Sequence, residues 1–236
     1  MGISPKTELR RFLAEDIGKG DITSALLPKN KIHARIISRE DAIVAGVKYA
    51  KEIFGMKGCK VTIRVKDGQR IKRNQTIIDV SGSPQGILSC ERTVLNLLTR
   101  MSGIATQTKS LAKKIPKSVK IFATRKTAPG LRIFDKEAVE IGGGDRHRMS
   151  LDEMVMIKDN HLAVEHSIEK LLHDAKKIHK KVEIEVESKK DAILAAKHGA
   201  DIIMLDNFTP KKISQTIDEL KKLGLRKKVR IEASGG

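Results

Sequence analysis

At 236 residues the chain is long enough to bury a full core, as one large α/β domain or as a barrel with a small appended domain. The 47 Lys and Arg against 29 Asp and Glu give a net charge of +18, which makes polyanions the first partners to consider. Aromatics are only 3%, with no Trp and one Tyr (Tyr49), so stacking platforms for nucleic acid are nearly absent and a small, highly anionic substrate accounts better for the cations.

In chain order, Leu9, Phe12 and Leu13 recur at helical spacing, and Gly18-Lys19-Gly20-Asp21 ends that helix. Four short β-rich runs follow, His33 to Ser38, Ala42 to Ala45, Lys60 to Val65 and Thr76 to Val80, with Asp67-Gly68 as a turn between the last two. They predict a small antiparallel sheet beside helices. Cys59 and Cys90 lack metal or redox spacing and read as reduced core thiols of a cytoplasmic protein. The charged N-terminal stretch argues against a signal peptide, and no apolar run is long enough to span a membrane. From Ile87 a helical pattern runs through Leu95, Leu98 and Met101, a crossing element that places a domain boundary at 105/106.

Beyond it, five strand-like runs alternate with helix-length segments: Val119 to Ala123, Met154 to Ile157, Val182 to Val186, Ile202 to Leu205 and Val229 to Ala233. Strands alternating with helices imply a parallel sheet, for which barrel closure is one natural outcome. The lysines within 109–114, 176–181 and 221–222 alternate with apolar residues at helical spacing, as solvated helix faces do.

The strand ends carry the chemistry. They read Arg125 and Lys126, then Lys158 and Asn160, then Glu185 and Glu187, then Asp206 and Asn207, then Ser234, Gly235 and Gly236. In a β/α barrel all these ends open onto one face, whereas an open doubly wound sheet would bring a Gly-x-Gly-x-x-Gly turn, which is absent. Arg forks bind carboxylates and phosphates bidentately. Two carboxylates on neighbouring strands, Glu185 and Asp206, can hold Mg²⁺ or ribose hydroxyls, and Ser234-Gly235-Gly236 lets backbone amides approach a phosphate. Zinc is disfavoured, because the seven histidines show no i, i+4 ligand pair. A Schiff-base role for Lys126 or Lys158 stays open at this level.

Glu91-Arg92-Thr93-Val94-Leu95-Asn96, Ser102-Gly103-Ile104-Ala105-Thr106, Ala123 to Arg132, Gly142-Gly143-Gly144 before His147-Arg148, Ile157 to His161, Met204-Leu205-Asp206-Asn207 and Glu232 to Gly236 resemble the quinolinate phosphoribosyltransferase family, also called nicotinate-nucleotide pyrophosphorylase (carboxylating). The resemblance extends to Glu15 through Thr23. It implies an α/β architecture with an N-terminal open-faced α+β sandwich over residues 1–105 and a β/α barrel over 106–236. It also implies phosphoribosyl transfer from phosphoribosyl pyrophosphate to quinolinate with decarboxylation, in NAD biosynthesis, by a Mg²⁺-dependent homodimer or an oligomer of dimers.

Carried over residue by residue, the resemblance makes Lys126, Lys158, Glu185 and Asp206 catalytic. Arg92 would reach into the neighbouring subunit's site. Arg125, Lys126, His147, Arg148 and Lys158 would grip the quinolinate carboxylates and the phosphates, Glu185 and Asp206 would face the ribose and the metal, and Ser234 with Gly235 would cradle the 5′-phosphate. Glu185 is preferred to Glu187 because its interval to Asp206 fits the family. Two positions depart from the pattern: Arg146 stands where Asn is more common, and Ser150 where Gly is. The family's barrel continues past a segment like Ser234-Gly235-Gly236, so the barrel domain reads as incomplete and its closure and activity as open. The alternatives are a molybdenum-transport-associated pyrophosphorylase-like relative with another acceptor and, from a different class, a basic nucleic-acid-binding protein.

Overall fold

The structure, a computed structural model, describes residues 4–235; Gly236, named above at the last strand end, lies outside the described residues. The chain divides by packing into two compact units, one ending at Met149 and the other beginning at Ser150.

In the first unit, Ser4 caps helix α1 (Pro5–Ile17) by accepting the Thr7 amide, and Gly18, at a φ of 56°, stops it. Strands β1 (Ile32–Ile37), β3 (Lys60–Ile63) and β5 (Thr76–Gly82) form an antiparallel sheet in the order β1-β5-β3. A separate two-stranded ribbon joins β2 (Ala42–Ile43) to β4 (Arg70–Ile71). β2 falls within the predicted run Ala42 to Ala45, whereas β4 was not among the predicted strands, because two residues are too few to show alternation. Helices α2 (Val47–Met56) and α3 (Pro84–Ala112) pack with α1 and the sheet around Leu9, Ile53, Phe54, Ile78, Val94 and Met101, an open-faced sandwich of one sheet and its helices.

Helix α4 (Arg132–Ile141) completes this core. Its Phe134 is fully buried, with the Tyr49 ring edge-on at 4.9 Å and the Phe12 ring at 5.7 Å. Those contacts are why the packing division falls at 149/150, whereas the sequence pattern places the boundary at 105/106. After α4 the chain approaches α3 so closely that a Cβ on Gly142 would stand 2.6 Å from the Ala105 carbonyl oxygen.

The run from Val119 to Ala123 departs from expectation. It forms only an isolated parallel bridge, Phe122 to Asp145, held by Ala123 N–H to Asp145 O (2.9 Å) and Asp145 N–H to Ile121 O (2.8 Å). The partner segment is extended only between Gly143 and His147, both of which turn into positive φ (97° and 53°), so the ladder cannot propagate.

The second unit is a βα repeat: β6 (Val155–Ile157), α5 (Asp159–Glu165), α6 (Ile168–Ile178), β7 (Val182–Val186), α7 (Lys189–Lys197), β8 (Ile202–Asp206), α8 (Pro210–Lys222) and β9 (Arg230–Ser234). Its strands are parallel and neighbour one another in chain order. Val182, Ile184, Val186, Ile203 and Leu205 are buried, as parallel strands require. Ser167, Ser188 and Thr209 cap α6, α7 and α8 by accepting the amides of Lys170, Asp191 and Lys212. Parallel pairing of Ile157 with Ile184, Val186 with Leu205 and Asp206 with Ser234 sends every strand's C-terminal end to the same edge of the sheet.

Candidate active site

In the first unit the predicted cations follow the Phe122 bridge. The Lys126 amide donates to Thr124 Oγ1 (3.2 Å) and the Thr127 amide to the Arg125 carbonyl (2.9 Å), which curls Thr124 to Thr127 into a tight loop. Arg132, at the start of α4, anchors it: Nε donates to Thr127 Oγ1 at 3.3 Å and Nη1 to the Met149 carbonyl at 3.0 Å. Arg125 Nε is buried and meets no acceptor among the described residues, and Lys126 is exposed with no ion pair among them. A buried guanidinium donor without an acceptor is costly unless an anion completes it.

His147 and Arg148 follow the same bridge two residues on. The Phe122 and His147 rings meet edge to face at 6.0 Å, and Arg148 is buried. Arg146 Nε pairs instead with Glu140 Oε2 at 2.5 Å, so this position is directed to α4. Ser150, the second departure from the family pattern, hydrogen-bonds to Asp152.

Sequence reasoning missed the helix behind this loop. Three consecutive charged residues of α4 are buried: Asp135 at 6% exposure, Lys136 at 0% and Glu137 at 9%. Asp135 takes a bidentate fork from Arg100 on α3 (2.6 and 2.8 Å), which raises the Arg100 pKa. Glu137 accepts from Tyr49 Oη at 2.6 Å and from Lys48 Nζ at 2.7 Å; burial first, and the bond to Glu137 second, push the Tyr49 pKa up. Lys136 Nζ donates to the carbonyls of Arg146 (2.6 Å) and Arg148 (2.5 Å). In the sequence Asp-Lys-Glu reads as a solvated face, and only the helical phase with Phe134 and Ala138 hints otherwise.

In the second unit, Lys158 directly follows β6, and its Nζ meets Glu185 Oε2 on β7 at 2.6 Å. His161 Nδ1 accepts the Lys158 amide at 3.0 Å and so fixes the backbone from which that side chain leaves. Glu185 is therefore the carboxylate that joins Lys158, whereas Glu187 is exposed and offers its carbonyl to Lys212 Nζ.

Asp206 ends β8, where its Oδ2 accepts from Asn207 Nδ2 at 2.7 Å. Asn207 has a φ of 54°, and its amide donates to the Ser234 carbonyl at 2.9 Å. Gly235, with a φ of 119°, lies so close that an added Cβ would stand 2.5 Å from Asn207 Oδ1. Asp206, Asn207, Ser234 and Gly235 therefore form one interlocked strand-end cluster. Arg92 sits on α3, exposed and without an ion pair among the described residues.

The carboxylates of Glu185 and Asp206, on adjacent parallel strands, are hard oxygen donors of the kind Mg²⁺ takes alongside substrate phosphates. The Arg125 Nε without an acceptor and the Lys126 without an ion pair among the described residues, and a Lys–Glu pair beside an Asp–Gly cluster at strand ends, suit a substrate rich in carboxylate and phosphate.

Comparison with known proteins gives the family. The family model for the quinolinate phosphoribosyl transferase N-terminal domain matches residues 21–102, and that for its C-terminal domain matches residues 104–236. A probable nicotinate-nucleotide pyrophosphorylase [carboxylating] of Archaeoglobus fulgidus is 46% identical over 219 residues, 92% of this chain and 84% of the relative. The protein of the same name from Methanothermobacter thermautotrophicus is 45% identical over 97% of this chain and 85% of its own. The solved nicotinate-nucleotide pyrophosphorylase of Francisella tularensis superposes with a TM-score of 0.90 at 36% identity, over 99% of this chain and 85% of that one. With both family models matched in order and a tandem of open-faced sandwich and parallel βα unit beneath them, the chain belongs to the quinolinate phosphoribosyl transferase family.

Proposed function

We propose that the chain transfers the phosphoribosyl group of phosphoribosyl pyrophosphate to the ring nitrogen of quinolinate and removes the 2-carboxylate as CO₂, giving nicotinate mononucleotide and pyrophosphate for NAD synthesis. Family membership supports the reaction class, and the observation that carries the reading to these residues is Arg125, whose buried Nε lacks an acceptor that an anionic substrate would supply.

Arg125, Lys126, His147 and Arg148 bind the pyridine dicarboxylate and the phosphates, with Lys126 and Lys158 offsetting the charge that develops on the departing pyrophosphate. Ser234 and Gly235 hold the 5′-phosphate through small side chains and accessible backbone. Glu185 and Asp206 orient the ribose, and they are the residues that would hold Mg²⁺. Bound there, the ion would supply Lewis-acid neutralisation of the leaving pyrophosphate. The quinolinate nitrogen attacks C1 as the bond to pyrophosphate breaks, through a state of oxocarbenium character. The nitrogen, now cationic, stabilises the electron pair left at C2 when CO₂ departs, and a proton from water replaces it. Binding, orientation and desolvation suffice, and no covalent nucleophile is needed.

The working form is a dimer, in which Arg92, exposed and without an ion pair among the described residues, serves the partner's site. Two free, buried thiols, Cys59 and Cys90, suit a reducing cytoplasm. No helix among the described residues is long and apolar enough to cross a membrane.

The test is turnover with quinolinate, phosphoribosyl pyrophosphate and Mg²⁺. Pyrophosphate and CO₂ appear in equal amounts, whereas nicotinate, which lacks the carboxylate that leaves, releases no CO₂. Absence of both products with quinolinate overturns the reading.

A further inference from the structure

We propose that Lys136 is a positioning residue, which sets the conformation of His147 and Arg148 by clamping the backbone on either side of His147; the inference rests on the substrate-binding role proposed for those two residues. Lys136 is fully buried, and lysine is almost never so unless its ammonium is bonded. Its Nζ donates to the carbonyls of Arg146 and Arg148, the residues immediately before and after His147.

His147 has a φ of 53°, in the left-handed region that a non-glycine residue adopts only when its surroundings hold it there. Two carbonyls converging on one ammonium are such a constraint. The same turn ends the Phe122–Asp145 bridge, so the clamp decides where the chain leaves the Arg125 segment and where the Arg148 side chain begins. An apolar side chain of similar volume would avoid the desolvation cost of the ammonium. The lysine is therefore better explained by what it aims than by what it stabilises.

Its neighbours on α4 provide the internal control. Asp135 is buried to a similar degree, but its bonds go to Arg100 on α3 and not to the 146–148 loop.

The experiment compares Lys136→Met, Lys136→Gln and Asp135→Asn with the wild type. Binding of quinolinate is measured by calorimetry, steady-state constants are measured for each substrate, and melting curves establish the temperature at which each variant is folded. Loss of the clamp weakens quinolinate binding about 10- to 100-fold, the size expected when binding groups are misplaced by about an ångström. Lys136→Gln, whose amide can still donate, recovers part of it. Asp135→Asn lowers the melting temperature and leaves quinolinate affinity within about twofold.

A folded Lys136→Met that binds quinolinate as the wild type does overturns the inference, as does an Asp135→Asn that loses affinity as fully as Lys136→Met. If Lys136→Met does not fold, the Gln variant decides: its amide is one bond shorter than the lysine and restores the two carbonyl bonds only in part, so wild-type quinolinate affinity in folded Lys136→Gln refutes the clamp. A wild type that neither binds nor converts quinolinate refutes the proposed function instead, which separates the two failures.

Discussion

Lys158 Nζ lies 2.6 Å from Glu185 Oε2, so a cation and a carboxylate assigned to the same chemistry neutralise each other. Both leave adjacent parallel strands at matched height, because Ile157 and Ile184, the residues just before them, are register partners. Under the proposed function, an incoming polyanion would draw Lys158 to itself and release Glu185 from the pair. Lys158→Ala therefore lowers kcat/KM by about 10²- to 10³-fold, the range for losing one charge-stabilising donor. Steady-state assays with quinolinate check this, and a variant within threefold of wild type refutes it.

Removal of His161 acts on the same lysine through the backbone. His161→Ala deprives the Lys158 amide of its acceptor at the start of α5, and His161→Asn can restore one. Activity and melting temperature fall together in the first variant and partly recover in the second; equal loss in both contradicts a backbone role.

The contact between Gly235 and Asn207 leaves no room for a side chain. In Gly235→Ala the new Cβ would stand 2.5 Å from Asn207 Oδ1 and 2.9 Å from the Asn207 amide nitrogen, at a φ of 119°. The cost is about 1–3 kcal/mol of stability. Because Asn207 adjoins Asp206, KM for phosphoribosyl pyrophosphate rises more than KM for quinolinate. Denaturant melts and the two KM values report on each part.

Arg92 offers a test of subunit sharing. Arg92→Ala removes an exposed side chain and leaves stability unchanged but abolishes turnover. Mixing and refolding it with inactive Lys158→Ala recovers roughly a quarter of wild-type activity, since random dimers place one intact site in half of the molecules. No recovery, with mixed dimers demonstrated, excludes a shared site.

The thiols differ from catalytic cysteines in their surroundings. Burial pushes the Cys90 pKa up to about 12, and burial likewise raises that of Cys59. A raised thiol pKa means less thiolate at any pH below it, so a maleimide or disulfide reagent at pH 8 modifies neither cysteine in the folded protein and both after denaturation. Rapid labelling of the native chain speaks against this packing.

Much of the fold was legible because it rests on local patterns. The predicted Val182, Ile202 and Val229 runs became β7, β8 and β9: β8 is a continuous buried apolar run from Ile202 to Leu205, as a parallel strand covered on both faces reads, while β7 and β9 show apolar residues alternating with Glu183, Glu185 and Glu232. The lysines at 176, 177, 221 and 222 are exposed on α6 and α8, three of them paired with an acid three residues away, as solvated faces read. Val119 to Ala123 misled because alternation predicts a strand but not its partner, and here the partner turns away at His147. The burial of Lys136 was invisible for a related reason: its acceptors are carbonyls of a loop 10 and 12 residues on, and no residue type encodes a carbonyl. Arg125 and Glu185 could be named from the sequence, but that one Nε is orphaned and that the other carboxylate already holds a lysine are facts of packing.

The lone bridge between Phe122 and Asp145 joins two loops that each end in cationic residues, Arg125-Lys126 on one side and His147-Arg148 on the other. Two amides, those of Ala123 and Asp145, are all that this bridge contributes. Solvent deuterium should enter there early in the free enzyme and late once a diacid spans both loops. Those two positions would then serve as a built-in gauge of occupancy, readable without any turnover.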